Sequence, residues 1–161
     1  YGPGNYNPIE KWFFDRITHG RAIPIPFDGQ TITQLGHVSD LADAISKSIE
    51  TETAINQVYN CSGTQAVTFK GLIETAILAT GKKVSDFNLR SFDPSKLDPK
   101  ARKLFPLRLT NFFTDTSKIQ NDLSWKPKFS LLNGLIDSYE NDYLLVNNGN
   151  VDFSSDDLLF D

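Results

Sequence analysis

Apolar residues recur at helical spacing in several stretches of this chain. Ile9, Trp12, Phe13, Arg16 and Ile17 fall on one face of a helix, with Glu10, Lys11 and Asp15 opposite and Gly20 placed to stop it. A second helix is predicted through Leu41, Ala44, Ile45, Ser48 and Ile49, with Ser39 or Asp40 as N-cap and a short strand containing Leu35 and Val38 before it. Leu72, Ile73, Ala76 and Ile77 form the stripe of a third, capped by Thr68 and ended by Gly81. Asp115 opens a fourth with Ile119 and Leu123 inward. Ser130 caps the last, which runs through Leu131, Leu135, Ser138, Tyr139 and Tyr143.

The strand pattern is shorter and more interrupted. In Ala22–Phe27 apolar residues alternate with Pro24 and Pro26, which lack a donor, so the segment is an edge strand or merely extended. Gln57–Cys61 reads as a short buried strand and Val84–Phe92 as another, followed by a basic helical stretch that Asp93 caps and Pro106 ends. Thr110–Thr114 is extended. Strands alternating with helices predict an α/β fold, and no internal repeat is present.

With 161 residues, 39% of them hydrophobic, the chain is long enough to bury an ordinary core. No run approaches the roughly 18 apolar residues of a membrane-spanning helix. The opening Tyr1-Gly2-Pro3-Gly4 is a turn signal, and methionine is absent throughout, so a piece of a longer protein is expected. Two histidines, His19 and His37, and a single cysteine, Cys61, give neither a Cys/His metal set nor a disulfide framework.

The net charge of −4 conceals an asymmetry: residues 82–128 stand at +6 and residues 129–161 at −7. A tail so acidic reads as a solvated, mobile end, the alternative being an intramolecular polyanion mimic that covers the basic middle. Lys96, Lys100, Arg102, Lys103 and Arg108 form a basic cluster and are candidate phosphate contacts. Phe105 lies among them and Lys82, Lys83 and Arg90 extend them, the competing reading being a solvated basic helix with Phe105 buried. In Trp12-Phe13 and Phe112-Phe113, one member of each pair is expected to point inward. Asp40, Asp43 and Asp115 are the carboxylates to weigh for metal-dependent cleavage, and Asp40 and Asp115 are better explained as caps.

Taken in order, Tyr1-Gly2-Pro3-Gly4, Gly20-Arg21-Ala22-Ile23-Pro24-Ile25-Pro26 with Gly29, His37-Val38-Ser39-Asp40-Leu41-Ala42, Tyr59-Asn60-Cys61-Ser62-Gly63, Val67-Thr68-Phe69, and Asp115-Thr116-Ser117-Lys118 before Leu123-Ser124-Trp125-Lys126-Pro127 resemble the C-terminal half of the NAD-dependent epimerase/dehydratase family, the extended short-chain dehydrogenases. The resemblance implies the edge of a Rossmann sheet, including Gln57–Cys61, plus a small substrate-side domain over residues 1–146, with residues 147–161 as an acidic flexible tail. The Gly-rich dinucleotide loop and the catalytic Tyr-x-x-x-Lys belong to a preceding part, so no catalytic residue and no cofactor site fall in this piece, while NAD(P) is implied for the intact protein.

Nucleotide-sugar members usually place an arginine four residues before the histidine, on the substrate diphosphate; Thr33 stands there instead and gives up a charge-assisted contact. With Trp12-Phe13, Asp15-Arg16, Asp93-Pro94 and Lys103-Leu104-Phe105-Pro106, the chain is more similar to the chloroplast stem-loop-binding group of plants, algae and cyanobacteria. That similarity implies RNA as partner, endoribonuclease activity in the intact protein, homo- or hetero-oligomers, no membrane, and a plastid or cyanobacterial cytoplasmic location. The alternative is the substrate-side domain of a nucleotide-sugar epimerase or dehydratase, in which Thr33, Gln34 and His37 line a cleft completed by the missing dinucleotide domain. A third reading keeps the fold as a scaffold after loss of the ancestral site.

Overall fold

The computed structural model describes residues 1–146, 149 and 151–160. Helix α1 (Ile9–Thr18) turns Phe13, Phe14 and Ile17 into the core and stops where Gly20 adopts φ +62°. Its expected polar face is not solvent-facing: Glu10 and Asp15 are buried too. Glu10 Oε1 accepts hydrogen bonds from the Gly2 amide and the Ser138 hydroxyl, each at 2.7 Å, and Asp15 accepts from Tyr143 and Lys11. Packing of a C-terminal helix on α1 covers both sides of it, which period alone does not reveal.

Strand β1 (Ile23–Pro26) lies parallel to β4 (Leu89–Phe92), with Ile23 opposite Leu89 and Pro26 opposite Phe92. The prolines donate nothing, and the Ile23 and Phe27 amides bind the Asn88 and Phe92 carbonyls at 2.9 and 2.8 Å at the two ends. Only Leu89–Phe92 of the expected Val84–Phe92 strand is extended in a sheet, because Val84–Asp86 forms a 3₁₀ turn. Strand β2 (Ile32–Thr33) pairs antiparallel with β3 (Val67–Thr68), and β3 runs straight into α3 (Phe69–Ala79), where Thr68 Oγ1 accepts the Gly71 amide as the expected cap. Helix α3 is the centre of the core, with Phe69, Leu72, Ile73, Ala76 and Ile77 buried against α1, β1 and the C-terminal helices.

Helix α2 (Val38–Glu50) is different. Ala44 packs on Ile119 and Leu123 of α4 (Ser117–Leu123) and on Trp125, but Leu41, Ile45 and Ile49 stand 46%, 54% and 80% exposed. The predicted strand at Leu35–Val38 ends at Thr33, and Gln57–Cys61 pairs with no strand among the described residues; Val58 is 85% exposed and Cys61 half-buried. A strand needs a neighbour to be one. Leu35, Tyr59 and Cys61 nevertheless pack on the two core clusters, while Val58 and the Leu41, Ile45 and Ile49 side chains stay open.

The basic stretch is not one helix but two 3₁₀ turns, Pro94–Lys96 and Ala101–Leu104. Helix α5 (Leu131–Ser138), capped by Ser130 as expected, continues through a π-helical stretch (Tyr139–Tyr143) into α6 (Leu144–Val146). The tail, expected to be mobile, forms α7 (Ser154–Phe160), which docks on β1 and on the Ala101–Leu104 turn and buries Leu159. The remainder of the expected tail, at Asn147, Asn148, Asn150 and Asp161, lies outside the described residues. No described helix is long and apolar enough to cross a membrane.

Candidate functional site

Two local anchors shape the basic segment. Asp93 Oδ1 accepts the Ser95 hydroxyl at 2.7 Å and its amide at 2.9 Å; Asp98 Oδ1 accepts the Lys100 and Ala101 amides at 2.6 and 3.0 Å. These hydrogen bonds hold both carboxyls below the usual carboxylate range. Phe105 fastens the segment to the core, buried edge-on or tilted against Trp12, Phe69 and Phe92 with centroids 5.3–5.9 Å away. It is therefore unavailable to an RNA base.

Lys96, Lys100, Arg102, Lys103 and Arg108 all project to solvent, and none makes an ion pair among the described residues. Arg102 Nε donates to the Leu97 carbonyl at 3.0 Å, which steadies its guanidinium at the surface. Arg108 lies 4.6 Å over the Phe112 ring. Phe112 and Phe113 are 41% and 65% exposed, so the expectation that one of them is a core residue fails: Thr110–Thr114 runs over the surface, held by the Phe112 amide on the Ile32 carbonyl at 2.9 Å. Exposed aromatic faces beside unpaired cations are the chemistry that unpaired bases and phosphates require. Of the expected extensions, Lys83 is exposed, Lys82 is tied to the Ile17 carbonyl at 2.8 Å, and Arg90 lies under Phe160.

Within this chain Thr33, Gln34 and His37 do not line one common cavity. Thr33 is buried in the β2–β3 pair. Gln34 is a brace: its Oε1 accepts the Thr114 amide at 2.7 Å and its Nε2 donates to the Gly63 carbonyl at 2.6 Å. His37, rather than Ser39 or Asp40, is the N-cap of α2, its Nδ1 accepting the Ser39 amide at 3.3 Å. That bond leaves Nε2 as the protonated nitrogen, 3.2 Å from Asp137 Oδ2 but out of line for a hydrogen bond. The ring is stacked on Phe129 at 3.9 Å and edge-on to Tyr1, and a Cβ on Gly2 would come within 2.7 Å of it. His37 alone of the three borders the adjacent cavity of about 210 Å³, which Tyr1, Gln65, Lys128 and Phe129 also line.

Burial pushes the His37 pKa below its ordinary value, against the pull of Asp137 and Asp40. The unfolded chain therefore takes up a proton near pH 6.5 while the folded chain resists it, so stability present above that pH falls as the pH drops below it. Urea midpoints measured from pH 7.5 down to 5 should decline in the parent and flatten in His37→Asn, which keeps a capping oxygen. Equal slopes would contradict this.

The carboxylates weighed for metal chemistry are structural. Asp40, inside the first turn of α2, accepts the Lys128 and Phe129 amides at 2.8 and 3.3 Å. Asp43 pairs with Lys128 at 3.0 Å. Asp115 accepts the Ser117 amide at 2.8 Å and hydroxyl at 2.6 Å, the capping role expected of it, although Thr116 holds the N-cap position. Among the described residues no three His, Cys, Asp or Glu side chains converge on a metal position. At the β3–α3 junction the strand enters the helix through Thr68, without a glycine-rich turn.

One cluster escaped the sequence. Arg16 is buried on the apolar face of α1, its guanidinium 3.4 Å over Trp12 and paired with Asp156 of α7. The signal was present: an arginine four residues from a tryptophan on a buried face requires a carboxylate from elsewhere.

No protein-family model matches the chain. It is 41% identical over 163 aligned positions to the chloroplast stem-loop binding protein of 41 kDa b, chloroplastic, of Arabidopsis thaliana, with 99% of this chain and 42% of the relative aligned. It is 30% identical to the probable GDP-L-fucose synthase 1 of Oryza sativa subsp. japonica, over 87% of this chain and 41% of that one. The dTDP-glucose 4,6-dehydratase of Bacillus anthracis, solved with NAD, superposes with a TM-score of 0.69 at 21% identity over 92% of this chain and 43% of that one. The UDP-glucose 4-epimerase of Thermotoga maritima, solved with UDP-glucose, gives 0.69 at 23% identity over 91% and 44%. The chain thus spans less than half the length of the relatives it matches. By sequence it is related to these two plant proteins, and its fold corresponds to the C-terminal portion of the NAD-dependent epimerase/dehydratase fold, that of the extended short-chain dehydrogenases.

Proposed function

We propose that this chain is the RNA-contacting part of an atypical epimerase-like protein, with residues 94–113 as the contact surface. The observation that carries the reading is the set of five exposed basic side chains, none in an ion pair among the described residues, ending in the Arg108–Phe112 contact. The relative named as a stem-loop binding protein supports RNA as the ligand and its chloroplastic name supports a plastid location. Residues 1–146 then form the C-terminal part of the fold. The exposed apolar face of Leu41, Ile45, Ile49 and Val58 seats the preceding dinucleotide-binding part, to which any NAD(P) and any endoribonuclease activity of the intact protein belong.

Phosphate contacts release counterions, so affinity should fall steeply with salt. Changing Lys100, Arg102 and Lys103 together to alanine should weaken binding of a labelled stem-loop by about 10- to 100-fold at low salt and flatten the salt dependence. Unchanged affinity in that variant would remove the segment from the interface.

A second reading, the substrate side of a nucleotide-sugar epimerase or dehydratase, is supported by the rice relative and by the fold. Against it, Thr33 is buried and Gln34 is spent on internal bonds. Calorimetry of the intact protein with a nucleoside diphosphate sugar separates the two readings.

A further inference from the structure

Segment 152–160 sits on three arginines with a carboxylate and two aromatic rings. Asp156 pairs with Arg16 through one oxygen and meets Arg21 Nε at 3.4 Å through the other. The Phe153 ring lies 4.5 Å from the Arg21 guanidinium, and the Phe160 ring 3.9 Å from that of Arg90. An anion flanked by π faces is also what single-stranded RNA offers, a phosphate between bases. The segment also packs on the Ala101–Leu104 turn, which carries Arg102 and Lys103.

The hold is limited. Helix α7 has seven residues, too few to persist in isolation, and of its apolar residues Leu159 alone is fully buried. Arg21 and Arg90 remain partly open to solvent while covered. Released, the segment would free the guanidinium faces of Arg21 and Arg90 that Phe153 and Phe160 now occupy, with Arg16 stacked on Trp12 behind them.

We propose that Arg16, Arg21 and Arg90 form a second RNA site continuous with the basic segment, which residues 152–160 occupy as an intramolecular mimic and which RNA takes over when they lift. The proposal rests on the RNA reading above and adds to it an autoinhibitory strap.

The test compares the parent with Asp156→Asn/Phe160→Ala in the same full chain, using a fluorescent oligouridylate of about 20 nucleotides. The double variant should bind about 5- to 10-fold tighter, and adding Arg21→Ala and Arg90→Ala should abolish the gain. On the unmodified protein, the oligonucleotide should accelerate amide hydrogen exchange at residues 154–160, a readout that needs no variant to fold. If parent and double variant bind equally, both remain sensitive to loss of Lys100, Arg102 and Lys103, and exchange at 154–160 is unmoved, the strap is overturned and the RNA reading stands. If no form binds, both fall.

Discussion

Replacing Trp125 with alanine will destabilise the chain by about 3–5 kcal/mol and lower its thermal midpoint by about 10 °C. The side chain is fully buried, packs with Ala44, Ile119 and Leu123, and donates from Nε1 to the Asp40 carbonyl at 3.1 Å. Its removal leaves a cavity in the small cluster that ties α2 to α4. Because Leu41, Ile45 and Ile49 face solvent in this chain, α2 has little other apolar packing to fall back on. Thermal unfolding followed by circular dichroism measures the effect, and a midpoint within about 2 °C of the parent would show that Trp125 does not hold α2.

Asp40→Ala should cost about 2–4 kcal/mol, because it strands two backbone amides, of Lys128 and Phe129, that its carboxylate now binds. Asp40→Asn, which retains one acceptor, should recover about half of that. Since the Asp40 carbonyl is also the partner of Trp125, the two substitutions touch one joint and their effects should not add. A double variant with a loss equal to the sum of the two single losses would place the two contacts in independent regions. The same unfolding series decides it.

Helices were legible in the sequence where a short-range period and a cap coincide, as at Thr68 and Ser130. Strands were less so, because extended backbone becomes a strand only through a neighbour that the local pattern does not name. Gln57–Cys61 has strand composition and no partner among the described residues, and Val84–Asp86 turns instead of extending. Charge placement misled in one direction: Glu10, Asp15 and Arg16 are buried because α5, the π-helical stretch and α7 supply hydrogen-bond partners from more than 120 residues away. Tyr143 reflects the same enclosure, its hydroxyl pushed up to about 12 chiefly by burial.

Of the candidate site, the five exposed cations could be read from composition and spacing. Their neighbours could not. Phe105 was one of two open readings and is a core residue, whereas Phe112 and Phe113, expected to split between core and surface, both face solvent. His37 carries the family motif and works as a helix cap, with Gly2, Tyr1 and Phe129 closing around it. The substitution of threonine for arginine at position 33 coincides with a buried strand position.

Photocross-linking places the RNA directly. A stem-loop with 4-thiouridine in its loop, irradiated with the protein and digested, should leave adducts on residues 96–113, foremost on the exposed rings of Phe112 and Phe113. Adducts confined to the Tyr1–His37–Phe129 cavity or to α2, with none on 96–113, would contradict the assignment of RNA contact to the basic segment.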